Sequence, residues 1–242
     1  MKDDLYIVMP AYNEEAVIRS VVESWYAVLR DKTERSRLVI ADQGSRDRTH
    51  EILLDMQKNG YPQLEILDTE NRLHGPKVIA LYDHALKNGA DYIFQTDSDG
   101  QTDPAEFDAF WARRDQFTGI FGNRPVRGDG KDRAFVEKVV CFLLKLYFGV
   151  KIPDANAPFR LMKADIVKKY LYRLPAEYNL PNIMITTYYV YYGEKYAFRD
   201  VTFKARKTGV NSVNLPRIVK IGWKALGDFR KLKKEMKAAG QA

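Results

Sequence analysis

Three carboxylates crowd the stretch YIFQTDSDGQTDP, residues 92–104, where the apolar Tyr92-Ile93-Phe94 gives way to Asp97, Ser98, Asp99 and then Asp103. Each ionised carboxylate raises the cost of ionising its neighbour unless a cation sits between them. Asp103 has an ordinary explanation: in Asp103-Pro104-Ala105-Glu106 it reads as a helix N-cap, with Pro104 at the first helical position and Glu106 closing a capping box. Asp97 and Asp99 do not, because one cap has no use for two carboxylates a residue apart. A hard divalent cation removes the conflict, since Mg²⁺ takes one or two carboxylates and completes its shell with substrate phosphate and water. Gln101, two residues on, adds a neutral oxygen on the same side of an extended segment. Asp-x-Asp-x-Gln at a strand end reads as a metal–diphosphate site.

The elements that must position this set alternate through the first half of the chain. LYIVMP, RLVIA, QLEIL, DYIFQT and GIFGN read as short buried strands. Between them, EEAVIRSVVESWYAVLR has helical periodicity with Asn13 placed to cap it, RDRTHEILLDMQKNG ends a helix at Gly60, and a third helix spans Pro76 to Lys87. Strand–helix–strand units with short connections predict a mainly parallel sheet covered on both faces, with ligands beyond the carboxyl ends of its strands. PAYNEE, ADQGSRD and TDSDGQ sit at three such ends and should converge. The second half is less regular. RAFVEKVVCFLLKLYFGV is amphipathic, and its VVCFLLKLYF reads as core packing first and as a second, shallow membrane contact otherwise; the Tyr-rich run ITTYYVYYGEKYAF reads as core and interface packing, and FRDVTFKAR reads as a strand.

The 242 residues suffice for one sizeable core, and 45% apolar content is that of a globular chain. A single cysteine, Cys141, excludes an intramolecular disulfide and fits a reducing compartment. The start MKDDLYIVMP is too acidic, and its apolar part too short, for a signal peptide. No run approaches the ~18 apolar residues of a membrane span. The expectation is a soluble or peripheral, cytoplasmic protein. Six of the seven net positive charges fall in residues 217–242, so basicity belongs to a tail and no nucleic-acid partner is expected.

VMPAYNEE, VIADQGSRDRT, TDSDGQTDP, FGNR, DANAPFRLMK and ARKTGVNS occur in the order seen in family 2 glycosyltransferases of the GT-A fold. Over roughly residues 4–215 the chain resembles the dolichol-phosphate mannose synthase and polyprenyl-phosphate glycosyltransferase group. The resemblance implies an α/β, Rossmann-like sheet flanked by helices, here over residues 1–216. It implies that Pro10, Tyr12 and Glu14 line a nucleoside pocket with Asp42 and Gln43, and that Asp97 and Ser98 face ribose or sugar. Asp99 and Gln101 would hold Mg²⁺ or Mn²⁺ against a nucleotide-sugar diphosphate. Arg124 and Arg133 resemble arginines at an acceptor phosphate, and Arg206 resembles a late arginine near the donor diphosphate.

The chemistry of the residues agrees with that expectation. A departing nucleoside diphosphate gathers negative charge, which a metal and arginines stabilise. No base stands out, because His50, His74 and His84 read as surface histidines, and a missing base suits a phosphate acceptor better than a hydroxyl. A single displacement would invert the anomeric centre. Gln43, where the family usually has a second acid, suits a uracil edge and leans the donor towards UDP. Pro158 would stiffen the PFR turn, and the expectation is a chain without the transmembrane hairpins that many relatives append. In the tail, Ile218, Ile221, Ala225, Phe229, Leu232 and Met236 fall at helical spacing beside Lys220, Lys224, Lys231 and Lys234. That is a basic amphipathic helix, suited either to an anionic membrane surface or to docking on the body. Three alternatives stay open: transfer to a sugar hydroxyl of a polysaccharide, a nucleotidyltransferase, and a non-catalytic membrane adaptor.

Overall fold

A run of five or six apolar residues with no helical period is stable only when paired on both edges and covered on both faces. The computed structural model describes residues 3–42, 44–69, 73–126, 128, 131–205, 226–236 and 238, the side chains of 131 and 132 excepted. In it the five expected strands all form: β1 (Leu5–Pro10), β2 (Arg37–Ala41), β3 (Leu64–Leu67), β4 (Tyr92–Thr96) and β5 (Gly119–Asn123). The helices between them are α1 (Ile18–Tyr26), α2 (Thr49–Lys58), α3 (His74–Lys87) and α4 (Phe107–Trp111). The second half adds α5 (Lys131–Phe148), β6 (Phe159–Lys163), α6 (Ala164–Leu171), α7 (Pro181–Tyr191) and β7 (Tyr196–Asp200). The strands make one seven-stranded sheet in the order β3-β2-β1-β4-β6-β5-β7. It is parallel except at β6, which runs antiparallel to both β4 and β5.

Alternate residues of each strand enter opposite cores, as a period of two requires. Leu5, Ile7, Met9, Leu38, Ile40 and Phe94 pack with α1, α2 and α4 around Trp25 and Phe107. Tyr6, Val8, Val39, Ile93 and Met162 pack on the other face with α3, α5, α6 and α7. The Tyr-rich run is core, as its composition suggests: α7 buries Ile183 to Tyr189 without a polar face. Among the described residues, no helix is long and apolar enough to cross a membrane.

Several local expectations are corrected. Asn13 does not cap α1: it takes φ +55°, its Oδ1 accepts the Arg46 N–H at 2.8 Å, and the helix starts only at Ile18. A left-handed residue cannot lead straight into a helix, so the side chain ties two loops together instead. Asp103 does act as a cap, accepting the Ala105 N–H at 3.1 Å, but Glu106 closes no box. Its carboxylate reaches Thr202 N and Oγ1 at 3.0 and 2.8 Å. FRDVTFKAR is a strand only as far as Asp200. Residues 226–236 are helical, and Phe229, Leu232 and Met236 are buried in the body's core, with Phe229 packed edge-on against Phe148. The apolar face of that part of the tail is therefore occupied by the protein itself. Residues 217–225 lie outside the described residues.

Candidate active site

After β3 the chain crosses back over the sheet to place β4 on the other side of β1. Strand order thus reverses between β1 and β4, and at such a point the connections at the carboxyl ends part to leave a crevice. The loops after β1, β2 and β4 surround it, so the three polar motifs converge as expected. Ser98 Oγ donates to Pro10 O at 2.9 Å, Ala11 N to Ala41 O at 2.9 Å, and Asn13 N to Ser45 Oγ at 2.9 Å.

On the β2 side the crevice opens into a cleft of about 330 Å³ lined by Asp42, Gly44, Ser45, His50 and Asp68. Asp42 is buried; its Oδ1 accepts from Ser45 Oγ, while Oδ2 has no hydrogen-bond partner, with His50 Nδ1 3.3 Å away. A buried carboxylate oxygen without a donor is costly, and a ligand hydroxyl or N–H supplies what it lacks. Glu14 is buried beside the cleft, its backbone N–H donating to Thr49 Oγ1 at 2.8 Å, and Tyr12 is exposed at the rim. Lys77, one turn into α3, is 1% exposed, donates to Ala11 O at 2.6 Å and lies 5.6 Å from the Tyr12 ring centroid. Burial pushes its ammonium down to about 8, an effect that the negative charge of Asp42 opposes.

At the end of β4, Asp97 and Asp99 are half-buried and Gly100 turns the chain at φ +71°. A buried chain of side chains stands behind Asp97. Tyr82 OH donates to Asn182 Oδ1 (2.9 Å), Asn182 Nδ2 to Gln95 Oε1 (3.0 Å), and Gln95 Nε2 to Asp97 Oδ1 (3.3 Å). His74 Nε2 lies 3.5 Å from the same oxygen. His74 opens α3, which is seated against residues 178–179 so closely that a Cβ on Gly75 would fall 2.5 Å from Asn179 O. Asp99 Oδ1 accepts the Gln101 N–H at 3.1 Å. Among the described residues no three His, Cys, Asp or Glu side chains gather as a ready-made metal cage. The donor set nonetheless fits a hard cation whose shell is completed by diphosphate and water, because two half-buried carboxylates stand a residue apart on the turn that ends β4. Gln101 is buried, and its Nε2 donates to Lys204 O at 2.7 Å, so what it does in this structure is brace the acidic turn against residues 201–205.

On the β5 side, Arg124 is paired within the fold. It is buried, and Nε and Nη2 grip Asp154 Oδ2 and Oδ1 at 2.7 and 2.9 Å, with Glu137 Oε2 3.9 Å away and the Phe203 ring beneath. The pair fastens the loop after α5 to the end of β5, and the arginine's charge is largely spent on it. Arg160 is wholly buried and serves the same loop from below, donating to the carbonyls of Ala157 and Asn182 and to Thr186 Oγ1. Arg133 is half-buried in the first turn of α5. Gln43 and Arg206 lie outside the described residues.

Sequence reasoning passed over Lys77, Asp154, Gln95, Asn182, His50 and His74. Two of these carry a legible signal: Lys77 shares the face of Leu81 and Ala85 on a helix that must bury that face, and Gln95 interrupts a fully buried strand. The histidines carry none, because neither periodicity nor spacing marks the carboxylate that each one meets.

The model for glycosyl transferase family 2 matches residues 6–171. The undecaprenyl-phosphate 4-deoxy-4-formamido-L-arabinose transferase of Pseudomonas paraeruginosa is 27% identical over 171 residues, which cover 70% of this chain and 50% of that protein. The chain thus spans about half the length of the curated relatives it matches. Among solved structures, glucosyl-3-phosphoglycerate synthase from Mycobacterium tuberculosis with UDP superposes with a TM-score of 0.66 at 15% identity, covering 96% of this chain and 80% of that one. The same enzyme with Mn²⁺, UDP-glucose and phosphoglyceric acid gives 0.63 at 16% identity, covering 86% and 73%. S. aureus TarS with UDP-GlcNAc gives 0.60 at 15%, covering 88% and 62%. At such identities the likeness is one of fold.

Proposed function

The chain belongs to glycosyl transferase family 2, and from that footing we propose that it moves a sugar from a nucleoside-diphosphate donor to a polyprenyl phosphate. The observation that carries the donor half is buried Asp42 in the wall of the cleft, its Oδ2 without a hydrogen bond and with only His50 Nδ1 near it, at 3.3 Å. Asp42 accepts from the ribose or base, Tyr12 covers the nucleoside at the rim, and the Lys77 ammonium holds the Ala11 carbonyl beneath it. Asp97 is oriented towards the sugar by Gln95 from behind. Asp99, with Asp97 beside it, would hold Mg²⁺ or Mn²⁺, which when bound stabilises the charge gathering on the departing diphosphate. The relatives named for undecaprenyl-phosphate transfer support the acceptor half. An acceptor phosphate oxygen forms the new bond to the anomeric carbon as the carbon–diphosphate bond breaks, and a single displacement of this kind inverts the centre.

One observation favours a second reading. His74 beside Asp97 is a base–carboxylate pair at the crevice, which transfer to a sugar hydroxyl could use. Calorimetry with UDP and GDP, with and without Mg²⁺ or Mn²⁺, tests the donor half. The account expects tighter UDP binding, dependence on the metal, and at least about tenfold loss in Asp42→Ala, in line with removing a charged hydrogen-bond partner. No binding of either nucleotide would contradict it.

A further inference from the structure

Arg160, on β6, is wholly buried, and every acceptor that its guanidinium meets is neutral. Nε and Nη2 donate to Ala157 O at 3.2 and 2.9 Å, Nη2 also to Ala155 O at 3.4 Å, and Nη1 to Asn182 O and Thr186 Oγ1 at 3.0 and 3.2 Å. Burying a cation among neutral partners costs free energy that an apolar side chain of comparable size would spare. Burial accordingly pushes the guanidinium below the usual arginine range. Packing alone gives no reason for a charge here.

What stands beside the charge supplies one. In the antiparallel register of β4 and β6, Arg160 is opposite Gln95, so the two side chains leave the sheet on the same face. Asn182 closes the group from α7, with its carbonyl on Arg160 and its side chain between Tyr82 and Gln95. The bonds from Tyr82 to Asn182, from Asn182 to Gln95 and from Gln95 to Asp97 all run in one sense. A hydroxyl and two amides can each be turned over, so such a chain has two directions open to it. Only the observed one brings an N–H to Asp97; the other would set the Gln95 carbonyl oxygen against a carboxylate. A guanidinium has donors and no acceptor, so it favours the Tyr82 oxygen facing it and the O–H turned away, onto Asn182. Burial raises the Tyr82 hydroxyl above the usual tyrosine range, and the Arg160 charge opposes that rise.

We propose that Arg160 is a positioning residue for Asp97: its buried charge sets the direction of the chain, which holds Asp97 Oδ1 through Gln95 and leaves Oδ2 to the donor's metal or sugar. Among the described residues, the contacts of Asp97 with Gln95 and His74 both fall on Oδ1. Bonds that all run one way polarise one another, so the last of them, on the carboxylate, gains most from a fixed direction. That Asp97 serves the donor rests on the reading above.

Calorimetry of UDP with Mn²⁺ and in chelator, beside urea unfolding of the same preparations, tests the assignment. Arg160→Met, which removes the charge and keeps most of the volume, should weaken UDP about tenfold with Mn²⁺, in line with losing a hydrogen bond to a charged group, and leave affinity in chelator unchanged. Arg160→Lys, which returns the charge, should recover most of that loss. In an Asp97→Asn background, Arg160→Met should change UDP affinity no further, because both act through one carboxylate. Tyr82→Phe leaves Arg160 and its loop in place and should give part of the same metal-dependent loss, which decides the matter if Arg160→Met does not fold. Loss that is equal in Mn²⁺ and in chelator, or additive with Asp97→Asn, makes Arg160 a residue of folding only and overturns the inference. Wild type that binds UDP with Mn²⁺, with Arg160→Met and Tyr82→Phe equal to it, overturns the inference and leaves the donor reading standing. Wild type that binds no nucleotide rejects the donor reading and the inference with it.

Discussion

Asn182 on α7 and Gln95 on β4 meet side chain to side chain, Nδ2 to Oε1 at 3.0 Å, and the same Gln95 amide presents its Nε2 to Asp97 Oδ1 at 3.3 Å. Two helices and a central strand are thereby locked to one carboxylate of the acidic turn. Because each of these amides is buried, neither can replace a lost partner with bulk water.

Asn182→Ala should therefore leave Gln95 Oε1 buried without a donor and cost about 1–3 kcal/mol of stability. With Asp97 less firmly aimed, kcat should fall about tenfold while the acceptor KM changes little. Denaturant unfolding and steady-state kinetics on the same preparation check this. A destabilised variant with unaltered kcat would make the chain of amides a matter of folding only.

Lys77 supplies a pH signature of two opposite signs. Its folded pKa, pushed to about 8 by burial, lies below the ordinary 10.5, so between those values the unfolded chain holds more protons than the folded one. Stability attributable to this group should thus rise as pH climbs from about 8 towards about 10.5, and below about 8 the full cost of burying the cation is present. Affinity for an anionic donor should move the other way and fall as the ammonium is lost. Urea midpoints and UDP titrations across that range, compared with Lys77→Met, should show both trends in wild type and neither in the variant.

Arg124 and Asp154 should behave as a unit. Each side chain is nearly inaccessible and the contact is bidentate, so Arg124→Ala or Asp154→Ala alone should cost about 3–5 kcal/mol by stranding the partner charge. The double variant should cost less than the sum of the two, a coupling that a double-mutant cycle reads directly. Additive effects would mean that the pair is not what holds the loop after α5 in place.

How far the sequence leads is clear from these residues. Strands β1 to β5 and the helices between them follow from period and punctuation alone, and the convergence of residues 10–14, of 42, 44 and 45, and of 97–101 follows from the rule for parallel sheets. The reversed β6 does not follow, because PFRLMK carries no mark of direction and its neighbours are chosen by tertiary packing. The sequence marks Arg124 as a candidate without showing its partner, since Asp154 stands thirty positions away. Asn13 looks like a cap from composition, yet its positive φ and its bond to Arg46 depend on a second loop. For the tail, periodicity revealed an apolar face without saying what would cover it.

Asp99→Asn should leave folding intact, because the side chain is half-exposed, and should weaken donor binding only when Mg²⁺ or Mn²⁺ is present. With the metal, a loss of about tenfold or more in UDP affinity is expected from removing one of the carboxylates that satisfy a hard cation. Calorimetry in chelator and in metal buffer gives the comparison. Equal loss in both would assign Asp99 to a direct contact with the nucleotide.

The central claim is tested most directly by product analysis. The purified chain is incubated with a panel of UDP- and GDP-sugars, Mg²⁺ or Mn²⁺, and a short polyprenyl phosphate, and the lipid fraction is examined by mass spectrometry alongside the nucleotide released. The account predicts a lipid-linked sugar from a UDP donor, one nucleoside diphosphate released for each lipid glycosylated, and an inverted anomeric configuration. No lipid product from any donor, with a free sugar hydroxyl glycosylated under the same conditions and that activity lost in His74→Ala, would contradict it.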